Sequence, residues 1–410
     1  MDYDAKKSLL FWIMMRKVCI FSKKVITFAV EIILSMFKRE LQKVILEKCF
    51  KGKAIVVLGA RQVGKTTLLK NIIKEQQNKV LYLNCDEPQT VATLANRNLK
   101  ELQMLVGANK FVVIDEAQKV DNIGLSLKLM VDNIPDIQIV ATGSSAFELR
   151  NRLNEPLTGR KFEYQMYSIS TKEIYDTLGY IDVKRLLEPR LIYGSYPDIL
   201  SNMDNPKEIL RALTDSYLYK DILASDNLRK PDVLNRLLQA LAFQVGSEVS
   251  YNELAQTIGS DSRTVERYVE LLEKCFIVFR LNGLSRNLRN ELKKAKKIYF
   301  YDNGVRNAII QQFYPADIRD DMGALWENFF ISERIKHNQY TGHYCNIYFW
   351  RTKSQQEIDY IEECDGNMTA FEMKWNPKKS NVKFPSAFLD TYNVKETVVV
   401  TPDNYLDWLI

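Results

Sequence analysis

Histidine is nearly missing from this chain, with two residues in 410, and the six cysteines (19, 49, 85, 275, 345 and 364) include no Cys-x-x-Cys pair. That scarcity argues against a zinc site or a disulfide framework, and a reducing cytoplasm is the compartment it fits. Long uncharged apolar runs are lacking too. Within the first 35 residues SLLFWIMM (8–15) and VITFAV (25–30) are apolar, yet Arg16, Lys17, Lys23 and Lys24 interrupt them. That falls well short of the roughly 18 residues an integral membrane span needs. No small-residue cleavage site follows, so a secretory signal fits poorly. Two readings remain for residues 1–35: a basic amphipathic helix in peripheral contact with a membrane, or an extension ahead of a natural start at Met36. The second is favoured, because patterned sequence opens at FKRELQKVILEK. No charge sign dominates either. With 57 basic and 51 acidic residues the net charge is +6, which permits a nucleic-acid partner without requiring one. A length of 410 residues with 46% hydrophobic content accommodates two to four globular domains.

What is present is concentrated in residues 54–66, AIVVLGARQVGKT. Five apolar residues suited to a buried strand lead into Gly59, four further residues, and Gly64-Lys65-Thr66. Glycines at that spacing let the backbone curl so that successive N–H groups face phosphate oxygens, making Gly59, Ala60, Arg61, Gln62, Val63, Gly64, Lys65, Thr66 and Thr67 the expected nucleotide cradle. Lys65 is expected to reach the β and γ phosphates, and the Thr66 hydroxyl to ligate Mg²⁺. Thr67, Leu68, Leu69, Ile72 and Ile73 recur at helical spacing, so the loop opens into a helix whose N-terminal end faces the anion. Residues 111–116, FVVIDE, form a second apolar strand ending in carboxylates, with Asp115 placed for the Mg²⁺ shell and Glu116 for polarising the attacking water. A helix-capping or surface role for that acidic pair is the alternative. A third strand, IQIVATG at 137–143, ends in Ser144 and Ser145, and Ser144 is the expected γ-phosphate sensor.

GARQVGKTTLL, FVVIDEAQ, TGSSAFEL and LTGR, in that order, resemble the AAA+ ATPases of the archaeal and bacterial group that carries a C-terminal DUF4143 domain. The likeness continues through YGSYPDIL, KIYFYDNG, GALWENF, FWRTKSQQEIDY and FEMKW, covering about residues 36–410. For such a family the resemblance implies an ATPase core, a helical lid, a winged-helix segment and a PD-(D/E)XK nuclease-like C-terminal fold, with ATP and Mg²⁺ as cofactors. ATP rather than GTP rests on that likeness, beside the absence of an Asn-Lys-x-Asp element.

The expected fold class is therefore α/β: a P-loop parallel sheet over residues 36–170, a lid over 171–240, a winged helix over 241–304 and an α/β restriction-endonuclease-like domain over 305–410. Arg150, Arg152 and Arg160 precede an expected last core strand at 162–170, and by resemblance Arg160 in LTGR is the finger that reaches a neighbouring subunit's γ-phosphate. A surface pairing of Arg160 with Glu155 or Glu163 is the alternative; a finger would make the active form a homo-oligomer. Arg190 is a candidate lid sensor. SYNELAQTIG followed by SDSRTVERYVELLEKCF has a helix-turn-helix rhythm that leaves Arg263 and Arg267 outward. A basic stretch follows, from Arg286 and Arg289 through Lys293, Lys294, Lys296 and Lys297. It reads either as a wing that contacts the phosphate backbone of nucleic acid, DNA being the expected partner, or as a solvated charge run.

At the C-terminus, QQEIDYIEE and MTAFEMKW make two strands joined through Asp365-Gly366, with Glu372 and Lys374 on one face by two-residue alternation. Asp359, Glu372, Lys374 and the helical Glu327 together resemble the PD-(D/E)XK set, in which carboxylates hold Mg²⁺ and the lysine helps activate water. A cross-strand salt bridge is the bland alternative. Trp350, Arg351 and Trp375 flank the set, either to stack on bases or to pack.

Overall fold

The computed structural model describes residues 37–96, 98–144, 157–223, 230–285 and 296–410, without the side chains of 216–223. Residues 1–35, Ser145, Arg150, Arg152, Glu155, Arg286, Arg289, Lys293 and Lys294 lie outside the described residues.

Helix α1 (Glu40–Lys48) leads into β1 (Ala54–Leu58), a strand buried at every position. Helix α2 (Lys65–Glu75) follows, then β2 (Val80–Asn84), α3 (Pro88–Ala95), α4 (Leu99–Val106), β3 (Phe111–Asp115), α5 (Ile123–Asn133), β4 (Gln138–Gly143) and β5 (Lys161–Gln165). The sheet order is β2-β3-β4-β1-β5, every pairing parallel. Parallel strands need helical crossovers, which cover both faces and demand the unbroken Val/Ile runs seen in β1 and β3. The last core strand spans five residues rather than the expected 162–170, because Ser170 turns the chain into a helix. Its hydroxyl accepts from Glu173 N while Glu173 reaches back, a capping box that starts α6 (Thr171–Leu178).

Short helices α7 (Tyr180–Arg185), α8 (Leu187–Tyr193) and α9 (Pro197–Ser201) precede α10 (Pro206–Leu223) and α11 (Pro231–Phe243). Then come β6 (Glu248–Val249), α12 (Tyr251–Ile258) and α13 (Ser262–Lys274). Asp261 caps α13 by accepting from Thr264 N at 2.9 Å, and Val265, Tyr268, Val269 and Leu272 form its buried face. Arg263 and Arg267 are exposed. Strands β7 (Val278–Gly283) and β8 (Lys296–Phe300) run antiparallel.

The second sheet continues past that hairpin. After α14 (Asn303–Ile309) and α15 (Met322–Thr341) come β9 (Asn346–Arg351), β10 (Glu357–Cys364), β11 (Asn367–Met373), α16 (Ser386–Leu389) and β12 (Val394–Val400), giving the order β12-β11-β10-β9-β7-β8-β6. The link is a parallel pairing of Asn282 with Tyr348 and Gly283 with Phe349. One sheet therefore crosses the position near residue 304 where the sequence pattern changes. The β10–β11 turn places Asp365 (φ 50°) and Gly366 (φ 79°) in the left-handed region, the geometry a two-residue hairpin needs.

Helix α15 joins the two sheets. It is buried on most sides, so its composition carries no single apolar stripe, and polar residues inside it find partners. Glu333 Oε2 accepts from Thr171 N and Oγ1 at 2.6 and 2.7 Å, Lys336 Nζ donates to Ser168 Oγ at 3.0 Å, and the Tyr340 hydroxyl accepts from Tyr167 N at 3.0 Å.

Candidate nucleotide site and a second carboxylate cluster

The loop after β1 closes tightly against the neighbouring strand. A Cβ at Gly59 would sit 2.3 Å from the Met166 carbonyl oxygen, so only glycine fits there. Gly64 takes φ 96°, a conformation that favours glycine, and passes the chain into α2. Lys65 Nζ donates to the Gly59 and Ala60 carbonyls at 2.9 and 2.8 Å. Thr66 Oγ1 donates to Asp115 Oδ2 at 2.9 Å, which brings the hydroxyl of the first motif onto the carboxylate of the second. The Tyr82 hydroxyl donates to the same oxygen at 2.7 Å, and Thr142 Oγ1 donates to Asp115 Oδ1. Asp115 is thus held from three sides by α2, β2 and β4.

Glu116 leaves β3 with φ 56°, strained for a residue with a side chain, and its N–H donates to Thr142 Oγ1 at 3.2 Å. Its carboxylate accepts from Gln118 Nε2 and, at 3.3 Å, from Ser144 Oγ. Gln118 Nε2 also donates to Ser144 Oγ at 2.9 Å. Ser144 is buried behind Glu116 and touches the site through it.

A cavity of about 540 Å³ opens here, lined by Arg61, Gln62, Gly64, Lys65, Thr66, Thr67, Tyr82, Asp115, Glu116 and Asp198 among others. Tyr82, Asp198 and a buried arginine, Arg39, were not legible as site residues. Arg39 donates to the Val63 carbonyl at 2.6 Å, to the Tyr167 carbonyl at 2.7 Å and to Glu173 Oε1 at 2.9 Å, bracing the loop from beneath. Burial raises the Asp198 carboxyl above its ordinary range. The oxygens of Thr66 and Asp115 suit Mg²⁺, which takes one or two protein oxygens and fills its remaining positions with phosphate oxygens and water.

Two arginines read from sequence lie elsewhere. Arg160 pairs with Asp132 (2.7 Å), while Glu155 lies outside the described residues. Its carbonyl accepts from Ala54 N at the start of β1, a strand of five residues, or roughly 17 Å, from the loop. Arg160 is therefore remote from its own chain's cavity. Arg190 is no sensor facing that cavity: it is fully buried, 3.1 Å from Glu333, donating to Ser195 Oγ at 2.9 Å and Thr171 Oγ1 at 3.0 Å. Its helix turns it toward α15 instead.

The C-terminal residues do converge. Tyr360 stands opposite Phe371 in the β10–β11 pairing, which sets Asp359 beside Glu372. Met373 N donates to Asp359 Oδ2 at 2.9 Å, and Lys374 Nζ lies 2.8 Å from Glu372 Oε2 and 3.9 Å from Asp359 Oδ2. From α15, Glu327 accepts from the Tyr299 hydroxyl at 2.6 Å. Lys297 corrects the sequence reading: it is no wing residue but is 2% exposed, with Nζ 3.2 Å from Glu327 Oε1 and 2.5 Å from Glu357 Oε1. Alternation along β8 sends it inward while Lys296 lies over the Tyr251 ring and 3.9 Å from Glu266. Burial, then the Asp359 charge, pushes both Glu327 and Glu372 up to about 7. Among the described residues, these carboxylates do not bring three oxygens within 4.8 Å of one another. Trp350 packs on Phe388 and Trp375 on Trp326, at ring separations of 5.2 and 5.9 Å. Arg351 lies 3.4 Å from Glu357.

The cysteines depart from expectation as well. Cys345 and Cys364 form a disulfide across the β9–β10 pair, because the register that sets Asn346 opposite Glu363 brings their Cα atoms to 4.7 Å.

Residues 51–175 match the family described as an AAA domain, residues 184–315 a domain of unknown function termed DUF8612, and residues 322–408 the domain of unknown function DUF4143. An uncharacterized protein of Mycobacterium tuberculosis is 25% identical over 334 residues, covering 79% of this chain and 70% of the relative. One of Haemophilus influenzae is 27% identical over 278 residues, covering 62% and 68%. The replication factor C large subunit of Pyrobaculum calidifontis is 23% identical over 228 residues, covering 49% and 51%. Among solved structures, the Aeropyrum pernix ORC1 protein in complex with DNA shares 13% identity over 63% of this chain and 86% of that one, with a TM-score of 0.28, too loose a likeness to carry an argument. No helix among the described residues is long and apolar enough to cross a membrane. The chain thus joins an AAA domain over residues 51–175 to a DUF4143 domain over residues 322–408, the make-up of an AAA-type P-loop ATPase with a DUF4143 domain.

Proposed function

We propose that the protein binds ATP and hydrolyses it. The observation that carries this reading is the 2.9 Å contact between Thr66 Oγ1 and Asp115 Oδ2, at the rim of a cavity that also takes in Lys65 and Glu116. In this reading Lys65 and the loop amides bind and orient the triphosphate, and Thr66 and Asp115 hold Mg²⁺, which neutralises phosphate charge. Glu116 accepts the proton of the attacking water, and Ser144 and Gln118 hold its carboxylate in place. Arg160, remote from its own cavity, serves a neighbouring copy in a homo-oligomer. Phosphate release from ATP by the purified chain, with and without single- and double-stranded DNA, tests the reading; no nucleotide uptake by calorimetry defeats it.

DNA is the proposed target, supported by the exposed Arg263 and Arg267 and by the basic stretch that follows β7 in sequence. For the C-terminal cluster two readings compete. Asp359, Glu372, Lys374 and Glu327 fit a nuclease that would hold Mg²⁺. The buried ammonium of Lys297, against Glu327 and Glu357, favours the other: a nuclease-like module that binds without cutting, gated by the nucleotide. Mg²⁺-dependent nicking of DNA would decide for the first. A cytoplasmic location remains part of this proposal.

A further inference from the structure

The chain contains eight residues that are cysteine or histidine, and the fold collects three of them at one point. His343, Cys345 and Cys364 each present a ligand atom within 4.8 Å of the others. His343 is placed by the end of α15: Gly342 takes φ 74° as the helix C-cap, and His343 N donates to the Asn338 carbonyl at 2.8 Å. Its Nε2 lies 3.3 Å from Cys364 Sγ. Cys345 immediately precedes β9 and Cys364 ends β10. The other histidine is near: His337, one helical turn and a half earlier, shares a surface pocket with His343, and its buried Nδ1 has no hydrogen-bond partner.

We propose that, with its disulfide reduced, this cluster is a binding site for a borderline-soft cation of the Zn²⁺ class. Two thiolates and one imidazole are a ligand set such ions prefer, and three protein ligands leave the fourth tetrahedral position open to water or an exogenous ligand. The geometry is nearly in place. Bonds of about 2.3 Å to sulfur and 2.0 Å to nitrogen put tetrahedral S and N ligands roughly 3.5 Å apart, against the 3.3 Å between Cys364 and His343. The sulfurs must part to about 3.8 Å, which side-chain rotation provides without moving the paired backbones.

Conversion balances simply. Two thiol molecules reduce the Cys345–Cys364 bond, becoming a disulfide themselves and leaving two protein thiols. The cation then takes both thiolates and the His343 imidazole, releasing two protons. Disulfide and metal are mutually exclusive occupants of the same sulfurs. The site also borders the ATPase sheet: Glu163 and Tyr164 of β5 line a cavity with His343, Tyr344 and Cys345.

Cobalt serves as the probe. The full chain, metal-free, without nucleotide and reduced by a phosphine, is titrated with Co²⁺ and read by absorbance. One equivalent should bind with a thiolate-to-cobalt charge-transfer band and tetrahedral d–d bands, and Zn²⁺ should displace it. His343→Ala should weaken binding by more than roughly tenfold, since even indirect ligand partners are worth that much. Cys345→Ser with Cys364→Ser should abolish the charge-transfer band. The disulfide form of the unmodified chain should show none, a comparison that needs no variant to fold. Absence of the band in reduced protein, its presence in the oxidised form, or its persistence in the double variant would overturn the proposal.

Discussion

The ammonium of Lys297, carried on β8, lies between two carboxylates from other elements, 2.5 Å from Glu357 on β10 and 3.2 Å from Glu327 on α15. It ties β8 to α15 and to the C-terminal strands beside Glu327, one of the carboxylates proposed to hold a metal. Lys297→Met leaves both carboxylates in a largely buried site without that charge. Removing one member of a buried pair costs about 3–5 kcal/mol, and urea unfolding should show a loss of that order. Glu327, already pushed up to about 7 by burial and by Asp359, should titrate higher still in the variant.

Asp359→Ala and Lys374→Ala separate the two modules. Asp359 lies on β10 and Lys374 directly follows β11, and neither lines the cavity beside Lys65. Either substitution should leave ATP turnover within about twofold while removing any Mg²⁺-dependent cleavage of DNA, because general-base and charge contributions of this kind carry factors of roughly 10² or more. Equal loss of both activities would contradict the proposed separation.

At the nucleotide site, Lys65→Ala and Glu116→Gln should fail differently. The first removes the proposed phosphate ligand and should abolish tight ATP binding in calorimetry. The second keeps the loop intact and should bind ATP while slowing phosphate release by about 10²-fold or more. Normal turnover by Glu116→Gln would remove that residue from the water-activating role.

Arg160→Ala tests the oligomer. Its pairing with Asp132 is partly exposed and worth about 0–1 kcal/mol, so the melting temperature should barely move. Turnover should fall by about 10³-fold if Arg160 completes a neighbour's site. Mixing Arg160→Ala with Lys65→Ala should then restore part of the activity, since each supplies what the other lacks.

Acid stability should report Glu333. Burial alone would raise its carboxyl, yet the charges of Lys336 and Arg190 outweigh that and hold it down to about 2. A depressed carboxylate stabilises the fold above its unfolded value near 4.5, and that contribution is lost as pH falls from 4.5 toward 2. The loss amounts to about 3 kcal/mol. Glu333→Gln should flatten the stability profile in that window.

The nucleotide half of the molecule was largely legible from residue order. Apolar runs of five residues rich in Val and Ile and bounded by turn residues suit buried parallel strands, and a glycine-spaced loop between strand and helix constrains its own backbone, so 59–67, Asp115 and Glu116 stand out without tertiary knowledge. Strand alternation likewise placed Glu372 and Lys374 on one face. Long-range pairing decided the rest. Nothing local announces that β7 will pair with β9, that Lys297 will turn inward to Glu327, that Arg39 will brace Val63, or that Cys345 will meet Cys364 beside His343. Each depends on contacts between segments distant in sequence: a shift of one residue would turn Lys297 on β8 or Cys364 on β10 to the opposite face, whereas Arg39 and His343 are set by the ends of α1 and α15.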